Sequence, residues 1–424
     1  MKKLFLISFF ALSFISSKAA DWYVNQSGAP GTFTTIQGAI LVAASNDRIF
    51  VSPYDLYTEN LSIAKNITIA PATPGMTIQL VGTVTITGFP ARNVHIIGMK
   101  ATSFTTVTGT ATAVAKTSMN LTQCEGPITA EANVELNAYY CTGGYNVTMR
   151  DGRLYGSSLG YITVSDETGS NEGDTIVIIG NKITRLDWTS DNHYFFIANN
   201  FVGGQLNQDG SLMDFGYLGF NSMVYNLGYQ NNILNNTVHM NGSSCVWFAQ
   251  TGMNLSNVKI YNNILYLHDK DANYWIQCAS ATGSPDIKNN IFASPGNVCD
   301  NCDRLSGPSI TNVSFEPTAG AVNYRFVSLT QNPTNPHFPA NIFNNSNGKI
   351  GSLLSPFVNR GHPSIYFQDI DMSRNDPGTY GGPYSWDNYY NTGAGKARVF
   401  DLNMPAEIWP GQTPTIKAGA VHTN

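Results

Sequence analysis

Short runs of alternating apolar and polar residues, punctuated by Gly, Asn and Pro, fill most of this chain. Thr175-Ile176-Val177-Ile178 and Asn66-Ile67-Thr68-Ile69 are typical. β-Branched residues in alternation read as strands. One tetrad, apolar-x-Asn-Asn, recurs as Ile197-Ala198-Asn199-Asn200, Ile233-Leu234-Asn235-Asn236, Ile260-Tyr261-Asn262-Asn263 and Ile287-Lys288-Asn289-Asn290. Ile179-Gly180-Asn181-Lys182 is a looser copy. Steps of 27 residues separate Ile233, Ile260 and Ile287, after earlier steps of 18 and 36. Spacings of this size predict solenoid coils with loops of varying length. Asn tolerates the left-handed backbone state that a coil turn needs, and stacked amides can bond as a ladder. Asn199, Asn235, Asn262 and Asn289 are therefore expected in one buried column at a turn, a structural role rather than a ligand-binding one.

A tighter register lies earlier. Asn120 to Gly126 matches Asn137 to Gly143 at a step of 17, which puts Cys124 and Cys141 in the same place on neighbouring coils. Strands about 4.8 Å apart bring such a pair within disulfide reach. A disulfide and a stack of two buried thiols both satisfy the register.

Near the start, Thr35 can cap a helix over residues 36–44, with Ile36, Ala39, Ile40 and Ala43 on one face. Short strands follow around Ile49, Leu61 and Ile67. This order of capping helix and short strands resembles the start of pectate-lyase-like β-helix proteins. The run from Ser355-Pro356 through Asp369, Asp371, Ser373-Arg374, Asp376 and Gly378-Thr379-Tyr380 is similar to the terminal segment of bacterial surface β-helices. The resemblance implies an all-β fold: a right-handed parallel β-helix over residues 20–383, with residues 384–424 as a short C-terminal β extension. A solenoid needs such a cap, because its first rung would otherwise expose an open sheet edge.

Composition narrows the setting. Charged residues are 12% of the chain, about half the globular norm of roughly 25%. Aromatics are also 12%, so the chain is ordered rather than disordered. The net charge of −5 provides no basic face, which argues against a nucleic-acid partner. Residues 1–19 read as a signal peptide: Lys2 and Lys3, an apolar stretch from Leu4 to Ile15, then Ser17-Lys18-Ala19 as the small-residue cleavage site. The expected mature start is Ala20. No Cys follows the cut, and no later apolar run is long enough for a transmembrane segment. A secreted or cell-surface protein is expected. Its six Cys include Cys299-Asp300-Asn301-Cys302, and an oxidising compartment favours disulfides.

Enzymes of the resembled superfamily act on polysaccharides, but their motifs are missing. Neither the Asn-Thr-Asp, Asp-Asp, Gly-His-Gly and Arg-Ile-Lys set nor Arg-x-Pro-x-x-Arg occurs. Counting from the apolar residue of each tetrad, strand parity turns one set of positions outward. That set contains Arg185, Asp187, Gly203, Gln205, His239, Asn241, Tyr266 and His268. With Asp191, His193, Asp269 and Asp271 in flanking loops, it predicts a groove for a polysaccharide or cell-surface glycan. An alternative is a lyase or hydrolase with His239 or His268 as base and Arg185 as anion stabiliser. A third reading is a structural or adhesive module. Trp247-Phe248 and Tyr274-Trp275 are expected as neighbours on adjacent coils, packed in the core rather than stacked on sugar. Asp369, Asp371, Ser373 and Asn375 have the spacing that opens a Ca2+ loop, but Arg374 and Tyr380 stand where Gly and Glu belong. A loop tied by its own side chains is the favoured reading, and no other cofactor is evident.

Overall fold

The computed structural model describes residues 19–87, 92–107, 117–130, 134–142, 146–165, 175–189, 194–203, 216–220, 231–240, 244–249, 254–267, 274–278, 283–295, 305–306, 323–329, 358–369, 371–385, 396–403 and 417–423. Residues 1–18 of the signal-like segment, Asp191, His193, Gln205, Asn241, His268, Asp269, Asp271, Cys299 and Cys302 lie outside them. Within them the chain is a parallel β-solenoid. It visits three sheet faces in turn, and most coils add one strand to each face, some meeting the third through an isolated bridge instead. The first face is a 12-stranded sheet running from Asp21–Val24 (β1) and Asp47–Val51 to Asp286–Lys288. The second is an 11-stranded sheet from Leu61–Ile63 to Leu305–Ser306. The third comprises a three-stranded sheet low in the stack and a six-stranded sheet, Lys182–Ile183 to Tyr324–Leu329, above it.

The core follows from alternation. On the first sheet Ile49, Ile69, Ile96, Leu121, Ala138, Leu154, Ile178, Ile197, Ile233, Ile260 and Ile287 pair in unbroken register. All are buried. Each large member contributes about 1.5–3 kcal/mol by leaving water, and every coil repeats that gain. The bottom of the stack is closed by the helix Ile36–Val42 (α1). Thr35 Oγ1 accepts from Gly38 N at 3.1 Å, and the Glu59 carboxylate accepts from Ile36 N and Gln37 N at 2.8 and 2.9 Å. A carboxylate is stabilised at a helix N-terminus. Ile36, Ala39 and Ile40 face the core. The helix stops short of the expected residue 44, because Ala43 is already extended with ψ 140°.

The turn after the first sheet explains the Asn pairs and corrects their assignment. Nine successive coils place one residue there in the left-handed region: Gly98, Gln123, Tyr140, Gly156, Gly180, Asn199, Asn235, Asn262 and Asn289, with φ between 53° and 65°. The last four are buried and stacked at this turn, as expected. They do not form the continuous ladder. Only Asn262 reaches a neighbour in the column, donating to Asn235 Oδ1 at 3.4 Å. The ladder belongs to the next residue, whose side chain turns inward. Asn181 N donates to Asn200 Oδ1, Asn200 N to Asn236, Asn236 N to Asn263 and Asn263 N to Asn290, each at 2.9 Å, and Asn290 N to Asn323 at 3.2 Å. A left-handed residue reverses the direction of the chain, so only its successor points back over the strand ends.

Lower down the same inward column is Met99, Cys124, Cys141 and Ser157. Lys100 bridges to Glu125 and Glu125 to Thr142, which fixes Cys124 opposite Cys141 on adjacent coils. Both are buried free thiols, and burial pushes the Cys124 thiol up. The two sequence registers are one structural position. Ile178, not Ile179, pairs with Ile197, so the loose tetrad copy sits one residue later than its neighbours and the step there is 19.

Residues 358–385 add no strand to the stack, and Lys396–Asn403 with Lys417–Thr423 form an antiparallel hairpin. No helix among the described residues is long and apolar enough to cross a membrane.

Candidate functional site

Residues 358–382 form a strap laid along the Asn turn, running opposite to the direction of stacking. Arg360 O accepts from Asn289 Nδ2 at 3.1 Å. His362 N donates to Asn262 Oδ1 at 2.7 Å. Asn235 Nδ2 donates to Asn375 Oδ1 and Asp376 O at 2.8 and 2.9 Å. Asn199 Nδ2 reaches Thr379 O at 2.9 Å and Gly381 O at 2.5 Å. The left-handed Asn column is thus a row of amides, and the strap meets each in turn. This is why the first Asn of each pair is buried although it points away from the core.

The strap is shaped by Asp369, whose carboxylate accepts from Asp376 N, Gly382 N and Ser373 Oγ. Ser373 N donates to Asp371 Oδ1 at 2.9 Å. Burial raises the Asp369 carboxyl to about 6, against the hydrogen bond from Gly382. Asp369, Asp371 and Ser373 therefore tie the loop to itself. Among the described residues no group of three or more His, Cys, Asp or Glu could hold a metal ion.

Between the strap and the outer face of the 12-stranded sheet lies a cavity of about 600 Å³. Its floor comes from the sheet: Phe196, Asn232, Leu234, Lys259 and Tyr261. Its roof comes from His362, Tyr366, Phe367 and Tyr384. His362 stacks on Tyr261 with ring centroids 5.3 Å apart and planes 8° apart. Phe367 meets both rings edge-on, at 5.9 and 5.0 Å, and Tyr384 meets Phe196 edge-on at 5.6 Å. The Nζ atoms of Lys288 and Lys259 lie 5.6 and 5.9 Å from the centroid of the Tyr261 ring. Tyr366 is 81% exposed and Tyr384 is 39% exposed, so apolar ring surface faces the opening. The Tyr261 hydroxyl donates to Asp286 Oδ2, which also accepts from Lys288 Nζ at 2.9 Å. Burial opposes ionisation of Asp286, but these two donors hold its carboxyl below the usual range. Burial, then the Lys288 charge, lowers the His362 imidazole.

The groove predicted from parity is not formed. His239 and Tyr266 are in register and their rings lie 5.0 Å apart, as expected, but they are 2% and 1% exposed. Thr237–Met240 and Ile264–Leu267 are buried on both faces. Arg185 and Asp187 stand on another sheet, the 11-stranded one, opposite Tyr161 and Thr163. That coil gives the third sheet a two-residue strand, Lys182–Ile183, so the chain has turned onto the second sheet by Arg185, and there Arg185 and Asp187 face outward as expected. Arg185 donates to Asp187 Oδ2 at 2.8 and 2.5 Å and lies over Tyr161 and Tyr217, 5.1 Å from each ring centroid. Tyr217 donates to Asp187 Oδ1 at 2.6 Å. A site that unites Arg185 with His239 is therefore excluded by geometry. The aromatic pairs also shift: Trp247 lies opposite Gln277, and Tyr274 opposite Ser244. Phe248 packs on Phe220 in the core, and buried Trp275 donates to Ala293 O at 3.0 Å.

The cavity escaped the sequence reading, though one signal pointed to it. The second residue of the tetrad faces outward, yet it is Ala198, Leu234 and Tyr261 in successive coils. An outward column that stays apolar marks a covered face. No protein-family model, curated protein or solved structure matches the chain.

Proposed function

We infer that the protein is a secreted or cell-surface β-helix, akin to the pectate-lyase-like superfamily, that binds a saccharide in the cavity beneath the strap. The observation that carries this reading is the lining itself: Tyr366, Tyr384, Phe196 and the Tyr261–His362 stack around a 600 Å³ space. Sugars present apolar ring faces and hydroxyls. Aromatic faces accept the first, and Asn232 and Lys259 can bond the second. The handedness of the coil and the signal peptide belong to this proposal, as does export. Binding is favoured over cleavage because no Asp or Glu lines the cavity among the described residues. The nearby Asp286 is engaged by Tyr261 and Lys288, whereas glycoside hydrolysis ordinarily calls for a pair of carboxylates flanking the bond.

The test is a glycan array read with wild type and a Tyr366→Ala, Tyr384→Ala double variant. A Tyr161→Ala, Arg185→Ala variant on the 11-stranded sheet serves as the comparison. Loss of at least about tenfold in affinity for the strap variant alone, with melting unchanged, is expected. Retained binding in the strap variant, or loss only in the comparison variant, would place the site elsewhere.

A further inference from the structure

At the base of the solenoid one buried carboxylate has no cation in direct contact with it. Asp47 is 4% exposed, and it opens the second strand of the 12-stranded sheet. Its Oδ2 accepts from Trp22 Nε1 at 2.7 Å and Ala44 N at 2.8 Å. Its Oδ1 accepts only from Ala20 N, at 2.7 Å. All three donors are neutral. The Lys65 charge favours the ionised Asp47, as the last of the influences that lower its carboxyl, but Lys65 Nζ donates to Leu41 O and Ala43 O and makes no ion pair with it, and Arg48 pairs with Asp21. A buried charge is ordinarily paired with an opposite one.

The nitrogen on Oδ1 is that of Ala20, the residue at which the sequence pattern starts the mature chain. Ala19 and Ala20 are both exposed, so the bond between them is open to a peptidase. Ser17 and Ala19 are the small residues such an enzyme reads. We propose that hydrolysis of the Ala19–Ala20 bond makes Ala20 an α-ammonium that becomes the direct ion-pair partner of Asp47, so that processing itself completes the N-terminal cap. Water is the co-reactant. Its oxygen goes to the Ala19 carboxylate, and the amide nitrogen leaves with Ala20 as the ammonium. The new ion pair then holds three things together: the first residue, the Trp22 ring and Ala44, just beyond the end of α1. The hydrogen bond, already charge-assisted by the carboxylate, then carries a charge on its donor as well. Because β1 is an edge strand of the 12-stranded sheet, hydrogen-bonded there to Asp47–Val51 alone, the pair locks a strand that has a single neighbour in its sheet.

The experiment uses the full chain from Ala20 onward, released from a fusion with a free α-amine, beside the same chain acetylated at Ala20. Each is made with and without Asp47→Asn. Hydrogen exchange of the residue 21–24 amides reads local opening. Acetylation is expected to speed opening about tenfold with Asp47 in place and less than about twofold in the Asp47→Asn background. Equal rates with and without acetylation, or the same acetylation effect in both backgrounds, overturns the proposal. Should Asp47→Asn fail to fold, titration of the 15N-labelled α-amine decides. A pKa raised by about one unit or more above the ordinary range of roughly 7.7–8.0 supports the pair, and an ordinary value removes it. Mass analysis of the exported protein must show Ala20 first, and any other start also overturns it.

Discussion

The lower and upper coils solve the same turn in different ways. In the lower coils the left-handed residue is Gly98, Gln123 or Tyr140 and its inward successor is Met99, Cys124 or Cys141. In the upper coils both positions are Asn. The inward Asn of each upper pair spends its carbonyl on the coil above or below and its amide on backbone carbonyls. Asn263 Nδ2, for instance, donates to Ile233 O, Tyr261 O and Asn290 Oδ1. The thiols of the lower coils make only long contacts of 3.4–3.7 Å to carbonyls. The outward Asn has no such task in the coil and is left free to hold the strap. The difference teaches that a repeated dipeptide can carry two functions, one of cohesion and one of recognition. Where the strap is absent, the outward Asn is absent too.

Breaking the cohesive half should cost most. Asn263→Ala removes a fully buried amide whose Oδ1 accepts from Asn236 N and Nδ2 at 2.9 and 3.1 Å. Several buried backbone groups lose their partners. Each such orphan costs about 1–3 kcal/mol, so a total of about 3–5 kcal/mol is expected. Cys141→Ala at the same position in a lower coil should cost only about 1–2 kcal/mol, the loss of a small packed side chain. Denaturant titration of both variants measures the contrast. Equal losses would show that the two turns are energetically alike and that the ladder adds nothing.

Breaking the recognition half should act locally. A Cβ on Gly381 would sit 1.6 Å from Asp376 O and 2.7 Å from Asn235 Nδ2. Gly381→Ala must therefore lift the strap, at a cost of about 1–3 kcal/mol. Limited proteolysis is expected to cut within residues 358–385 while the coils stay protected. Loss of the whole stack at the same protease dose would mean that the strap is part of the solenoid's own stability.

How far the sequence disclosed this plan depended on repetition. The tetrad announced the coils because a solenoid must reuse one turn. The step of 17 found the cysteine pair for the same reason. The single slip, at Ile179, arose because Gly180 replaces the outward Asn there, and a pattern anchored on Asn alone slides by one. Arg185 and Asp187 still face outward, but on the second sheet, because Lys182–Ile183 is only a two-residue strand on the third. The burial of His239 and Tyr266 was foreshadowed by Ile264-Leu265-Tyr266-Leu267, a nearly continuous apolar run, which marks a strand covered on both faces. The strap was illegible because its partners are remote. Asn199 and Gly381 are 182 positions apart, and Asn235 and Asn375 are 140 apart. No periodic pattern links a unique segment to a repeated one. The cavity, which needs both, was hidden with it.

The finest probe of the strap is its proton dependence. Asp369 carries a folded-state pKa of about 6, raised by burial from 3.8. A raised carboxyl binds its proton more tightly when the strap is docked. Its contribution to docking is thus fully present below about pH 4 and is lost as the pH rises through about 6. His362 acts in the opposite sense: its lowered imidazole favours docking above about pH 6.5 and loses that contribution as the pH falls. Wild type therefore shows a shallow, compensated profile. Asp369→Asn keeps an oxygen that can accept from Gly382 N and Asp376 N, but it cannot ionise. The variant should gain in strap protection relative to wild type, by several-fold, as the pH is raised from 4 to 7. Exchange of the Gly382 and Asp376 amides, corrected for intrinsic pH dependence, reads this directly. A wild-type-to-variant ratio that stays constant across the range would mean that Asp369 is ionised in the docked strap throughout, and that its backbone hydrogen bonds outweigh its burial.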